Sequence, residues 1–143
     1  MFQGDYRHSI DAKGRVIMPA KFRELLGNKF YITRGMDKNL QVYSCEEWEN
    51  LYRKLSTLPM IDPNSRALKH HFIAGCVECE ADKQGRILIP QSLRMFADLD
   101  KDIAIVGGGE KVEIWNADIW DEYIGNIDLA SVASNMFESG FVI

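Results

Sequence analysis

Residues 10–23 read IDAKGRVIMPAKFR, and residues 81–94 read ADKQGRILIPQSLR. At an offset of 71 residues, Asp11, Gly14, Arg15, Pro19 and Arg23 coincide with Asp82, Gly85, Arg86, Pro90 and Arg94, and the apolar trio Val16, Ile17, Met18 coincides with Ile87, Leu88, Ile89. After one inserted residue the match resumes, LQVYSCEEW at 40–48 standing against VEIWNADIW at 112–120. Self-similarity at a fixed period marks a duplicated structural unit. A unit of about 45 residues is too short to bury an adequate core of its own, so the copies are expected to pack on one another or on other chains.

Working outward from the repeated stretch, YRHSI and RVIM on either side of DAKG have strand character, and Gly14 is free to take a positive φ. The motif is therefore expected to be a β-hairpin. Pro19 and Pro90 suit the first turn of a short helix, with Gly27 a C-cap for the first. A second hairpin is expected in each copy, KFYITR with LQVYS and DIAIVG with KVEIW. Ser44 and Glu47 fit a capping box for a helix through Trp48, Leu51, Tyr52 and Leu55. Asp62-Pro63 starts another helix, carrying Leu68 and Phe72 and C-capped by Gly75. Asn116 opens a last one through Trp120 and Tyr123, and residues 125–143 show only weak patterning. Trp48 and Trp120, at equivalent positions, read as core or inter-module packing.

The bulk composition narrows the function. The chain has 143 residues and is 46% apolar, enough for a core. It contains no secretory leader pattern and no apolar run near membrane-spanning length, so a cytoplasmic protein is expected. Three cysteines do not make a disulfide framework, in keeping with a reducing compartment. A net charge of −4 argues against holding nucleic acid by bulk electrostatics. The two halves differ, however: residues 1–75 carry twelve Lys+Arg against eight Asp+Glu, and residues 76–143 carry five against thirteen.

Turn chemistry accounts for Asp11, Gly14, Asp82 and Gly85 whatever the function. It leaves Arg15 and Arg86 unexplained, together with Lys13 and Lys83. A rigid two-stranded ribbon fits the DNA major groove, where arginine binds guanine bidentately or clamps phosphate. His70, His71, Cys76 and Cys79 fall within ten residues and are a candidate metal-ligand set. Strand geometry would put Cys76 and Cys79 on opposite faces, so reduced structural cysteines are preferred and no metal or other cofactor is expected. GGGEK at 107–111 lacks the G-K-[ST] ending of a phosphate loop and reads as a hairpin turn. No nucleophile has a convincing His and Asp arrangement, so no enzyme is indicated.

The residues that carry this argument, MFQGDYRHSIDAKGRVIMPAKFR at 1–23 and the second D-x-x-G-R at 82–86, resemble the MraZ family of bacterial regulators, and the resemblance covers essentially the whole chain. It implies an α+β, mainly β fold of two tandem AbrB-like (SpoVT-AbrB type) swapped-hairpin modules, packed with pseudo-two-fold symmetry and with added helices. The modules are expected at 5–47 and 76–119, with a helical connection at 48–75 and a C-terminal helix and tail at 120–143. The family implies a ring-shaped homo-oligomer that binds tandem promoter repeats on double-stranded DNA and represses the division and cell-wall gene cluster containing its own gene, placing the protein at the nucleoid. Its D-x-x-x-R motif falls on Asp11 and Arg15, and on Asp82 and Arg86. Arg15, Arg86, Lys13, Lys83, Arg7 and His8 are then the expected DNA contacts, and Asp11, Gly14, Asp82 and Gly85 support the turns. Gln84 replaces Lys13, Cys79 replaces His8, and Glu78 and Glu80 lie nearby, so the first motif is expected to dominate DNA contact. Two rivals stand beside this reading: a protein-interaction or antitoxin-like assembly module, and a metal-dependent or thiol enzyme.

Overall fold

The computed structural model describes residues 1–143. In chain order the elements are β1 (Asp5–Ser9), β2 (Arg15–Ile17), α1 (Ala20–Leu26), β3 (Phe30–Arg34), β4 (Leu40–Ser44), α2 (Cys45–Ser56) and α3 (Pro63–Lys69), which continues into a π-helical turn (His70–Ala74). The second half follows with β5 (Val77–Cys79), β6 (Arg86–Leu88), α4 (Gln91–Phe96), β7 (Asp102–Gly107), β8 (Val112–Asn116), α5 (Ala117–Gly125) and α6 (Leu129–Glu138). The two halves repeat the order strand, strand, helix, strand, strand, helix, as the duplicated motif requires.

The D-x-x-G-R turns close as turn chemistry dictates, with the Asp11 amide donating to Arg15 O at 2.9 Å and the Gly14 amide to Asp11 O at 3.0 Å. Their arms do not pair with each other, which corrects the simple hairpin expected around DAKG. Instead β1 pairs antiparallel with β7, β5 with β3, and β2 with β6. The larger sheet has the order β1-β7-β8-β4-β3-β5, and β2-β6 form a separate ribbon. A pseudo-two-fold axis between β4 and β8 relates β1 to β5, β7 to β3 and β2 to β6. Each module thus lends its first two strands to the other.

Burial explains the exchange. The inner face of the large sheet supplies Phe30, Ile32, Leu40, Val42, Ile103, Ile105, Val112 and Ile114, and the ribbon and helices α1 and α4 cover it with Val16, Met18, Phe22, Ile87, Ile89 and Leu93. Each fully buried side chain of this size contributes roughly 1.5–3 kcal/mol. Because both modules line one core, neither retains it alone. The second hairpins, β3–β4 and β7–β8, form within their own modules as expected.

The outer face carries the aromatic residues. Trp48 stacks on Tyr31 at 5.6 Å, and Trp120 lies 5.2 Å from Trp115, each on its own module's outer face. Both tryptophans are half-buried and tie α2 and α5 to the sheet, and Trp120 also reaches across the modules, its Nε1 donating to Asp5 Oδ2 at 3.1 Å. Helix starts follow their caps: Ser44 accepts from the Glu47 amide, Asp62 from Asn64, and Asn116 from Asp118 and Ile119. Gly27 caps α1 at φ 82°. Gly75 does not act as a left-handed cap, its φ being −82°. There the chain widens into the π-turn, whose carbonyls are taken by β3 side chains: Thr33 donates to Phe72 O at 2.6 Å, and Arg34 to His70 O and His71 O. The weakly patterned end contains α6, capped by Asp128 and almost wholly exposed.

Candidate nucleic-acid interface

The β2–β6 ribbon places its residues in alternation. Val16 and Ile87 face each other and point into the core, while Arg15 lies opposite Leu88 and Ile17 opposite Arg86 on the solvent side. The strand period of two therefore sends both arginines to one surface, flanking Ile17 (46% exposed) and Leu88 (56% exposed). A turn projects from each end of the ribbon.

The two turns are built alike. Asp11 Oδ1 accepts from the amides of Lys13 and Arg15, and its Oδ2 accepts from Arg15 Nε at 2.8 Å. Asp82 does the same with the amides of Gln84 and Arg86 and with Arg86 Nε, also at 2.8 Å. The backbone amide of Arg15, and next its guanidinium, hold the Asp11 carboxyl below the usual carboxylate range. Arg86 holds Asp82 down in the same way. Each aspartate is thus a fixed anion that fastens its arginine by Nε alone. The two Nη groups, the forked end that recognises guanine or phosphate, make no hydrogen bond within the protein. Lys13 and Lys83 sit exposed at the turn tips.

Surroundings distinguish the turns. Beside the first lie Lys101 and Asp100, and beside the second Glu80 and Asn28. Glu78 is engaged by Lys29 at 3.7 Å.

Arg7 is not brought to the turns. It lies on the outer face of β1, where Asp5 and Asp121 both grip its guanidinium, Nε reaching Asp5 at 2.8 Å and Nη2 reaching Asp121 at 2.9 Å. Both carboxylates raise its pKa further, and all of its nitrogens are occupied. His8 is on the opposite, inward side of the same strand and is half-buried. His70, His71, Cys76 and Cys79 do not converge on a metal site: His71 Nε2 lies 2.7 Å from Gly35 O, and burial pushes the Cys76 and Cys79 thiols up to about 12 and about 11.

Two residues of the repeated motif were left without a role by sequence reasoning. Arg23 and Arg94 were visible as matches, but only the exchanged topology shows each lying against the other module's turn glycine.

A family profile described as "MraZ protein, putative antitoxin-like" matches residues 1–71 and again residues 72–139. Among similar proteins, one named "Transcriptional regulator MraZ" from Thermoanaerobacter sp. (strain X514) is 55% identical over 130 residues, covering 91% of each chain. One of that name from Acetivibrio thermocellus is 53% identical, covering 95% of this chain and 96% of its own. One from Desulfitobacterium hafniense is 47% identical over 98% of this chain and 99% of its own. Among solved structures, "The solution structure of PHS018 from pyrococcus horikoshii" aligns over 80% of this chain and 88% of that one, with 15% identity and a TM-score of 0.34.

Proposed function

The chain belongs to the MraZ family and is a transcriptional regulator; we propose that it acts by binding double-stranded DNA sequence-specifically through the two turns at the ends of the β2–β6 ribbon. The observation that carries this reading is the pair of arginines, Arg15 and Arg86, projected on one surface with their Nη forks free. Fastening by a fixed aspartate removes rotamer freedom that would otherwise be lost on binding. Lys13 and Lys83 add phosphate contacts at the tips. Arg7 and His8, on β1, would flank these contacts, Arg7 only after exchanging its two carboxylates for phosphate.

The same proposal assigns a ring-shaped homo-oligomer on tandem promoter repeats, repression of the division and cell-wall gene cluster containing its own gene, and association with the nucleoid. Few cations per chain give weak binding, whereas linked sites raise affinity about 10²- to 10⁴-fold by effective concentration. Support for assembly comes from α6, which presents Leu129, Val132, Met136 and Phe137 to solvent. No helix is long and apolar enough to cross a membrane.

The test is mass in solution combined with binding to the DNA upstream of the chain's own gene across a salt series. Expected are an oligomer and an affinity that falls steeply with salt. A stoichiometric protein partner together with no DNA affinity at low salt would defeat the proposal in favour of an antitoxin-like assembly module.

A further inference from the structure

The second arginine of the motif does not face the turn that precedes it in sequence. Arg94 Nη1 stands 1.5 Å from where a Cβ on Gly14 would be, and the guanidinium carbon of Arg23 stands 2.7 Å from the same point on Gly85. Each planar guanidinium therefore occupies the space that glycine leaves open, on the turn of the other module.

Hydrogen bonds extend the contact. Arg94 Nη1 donates to Ile89 O at 2.7 Å, and the Ile89 amide donates to Gly14 O at 2.9 Å. At the two-fold-related position Arg23 Nε donates to Met18 O at 3.0 Å, and the Met18 amide donates to Gly85 O at 2.9 Å. Both arginines are half-buried. Each turn is thus held by its own aspartate from within and by the opposite module's arginine from behind.

We propose that Arg94 and Arg23 are positioning residues that act crosswise: Arg94, in the second module, fixes the turn that presents Arg15, and Arg23, in the first, fixes the turn that presents Arg86. The arrangement accounts for a feature that turn chemistry alone does not, the repetition of glycine and a distant arginine together. It also makes each reading turn dependent on the exchange of strands, since an isolated module would lack the arginine that backs its glycine. The consequence for DNA rests on the proposed function; the crosswise support does not.

The experiment is amide hydrogen exchange on the free, full-length protein carrying Arg94→Gln or Arg23→Gln. Arg94→Gln is expected to speed exchange at Lys13, Arg15 and Ile89 by about tenfold or more, the loss expected of a charge-assisted hydrogen bond, and to leave Gln84, Arg86 and Met18 within about twofold. Arg23→Gln should give the reverse pattern. Loosening of each variant's own turn, equal loosening of both turns in step with core amides such as Ile32 and Ile105, or no change at either would overturn the proposal. Arg94→Lys keeps the charge but not the planar fork, and is expected to show the same crossed pattern should the Gln variant not fold.

A DNA titration separates the two readings. Arg94→Gln should weaken binding without changing its salt slope. A slope lowered by about one phosphate contact would make Arg94 a direct contact and overturn the positioning role. A crossed exchange pattern with unchanged DNA affinity would uphold the positioning role and sink the assignment of the turns as DNA readers.

Discussion

Replacing Arg15 by alanine separates the turn from the contact it presents. The turn survives the change on structural grounds: the amides of Lys13 and residue 15 still reach Asp11 Oδ1, each at 2.9 Å in the parent, and Gly14 is still backed by Arg94. What disappears is the Nη fork. A bidentate arginine–base contact is worth about 1–3 kcal/mol, or roughly 5- to 150-fold in affinity for each engaged chain. Two engaged chains square that factor, so loss of detectable binding at physiological salt is the expected outcome. Arg86→Ala should cost less because, although each turn carries one lysine, Lys13 or Lys83, Glu80 stands beside the second turn where the first has Ser9.

Alanine also releases Asp11, whose bare carboxylate would repel phosphate and inflate the apparent worth of the arginine. Arg15→Lys controls for this by keeping the charge and removing the fork. Fluorescence anisotropy on the upstream DNA at several salt concentrations, with mass measured in parallel, reads all three variants. Base recognition predicts that Lys fails to restore sequence preference while restoring much of the salt slope. The reasoning is refuted if Arg15→Ala, still oligomeric, keeps its affinity within about twofold, or if Arg86→Ala weakens binding as much.

The aspartates make the turns sensitive to acid. Asp11 and Asp82 have folded pKa values below the ordinary value of about 3.9, so their stabilising effect is complete above that value and is lost as pH falls through the depressed one. Amide chemical shifts of Lys13 and Gln84 should accordingly stay constant down to about pH 4 and move only below it. In the core, Phe22 is 1% exposed and meets Phe2 and Tyr6 edge-on at 5.6 and 5.2 Å; Phe22→Ala should cost about 3–5 kcal/mol, measured by chemical denaturation. Introducing charge on α6 by Val132→Asp with Met136→Asp should lower the mass in solution, leave the circular dichroism of the modules unchanged and weaken DNA binding. Unaltered mass would remove α6 from the assembly.

The duplicated pattern carried much of the architecture because it encodes local chemistry twice. Asp at the start of a turn, Gly at φ 83° and 79°, Pro entering a helix, and Ser44, Asp62 and Asn116 as caps are all short-range decisions, and the structure realises each. Pairing partners are not short-range. β2 and β6 have three residues apiece, and nothing in RVI or RIL distinguishes pairing with the preceding strand from pairing with the other module. The single shared core decides that, and it is a property of both copies together. The same limit hid Arg23 and Arg94, whose partners are glycines more than sixty residues away in sequence. Arg7 shows the opposite failure: a cation near the motif looks available until Asp121, 114 residues distant, is seen to hold it.

The exchanged topology also bears on what kind of DNA element the ribbon would suit. The antiparallel pair Val16–Ile87 lies on a local two-fold axis perpendicular to the ribbon, so Arg15 and Arg86 are presented to a duplex as the halves of an inverted site. Equal turns would read a palindrome, and a palindrome has no direction. Tandem repeats do have one, and a protein that binds them head to tail must present a face that differs under that two-fold rotation. Ala12 against Lys83, Lys13 against Gln84 and Ser9 against Glu80 supply the difference while the backbone keeps its symmetry. On the proposed function, restoring equality with Lys83→Ala, Gln84→Lys and Glu80→Ser should therefore shift preference from direct towards inverted repeats, measured by competition between DNA duplexes of the two orientations. A preference that stays with direct repeats would place the source of direction in the assembly of chains and not in the inequality of the two turns.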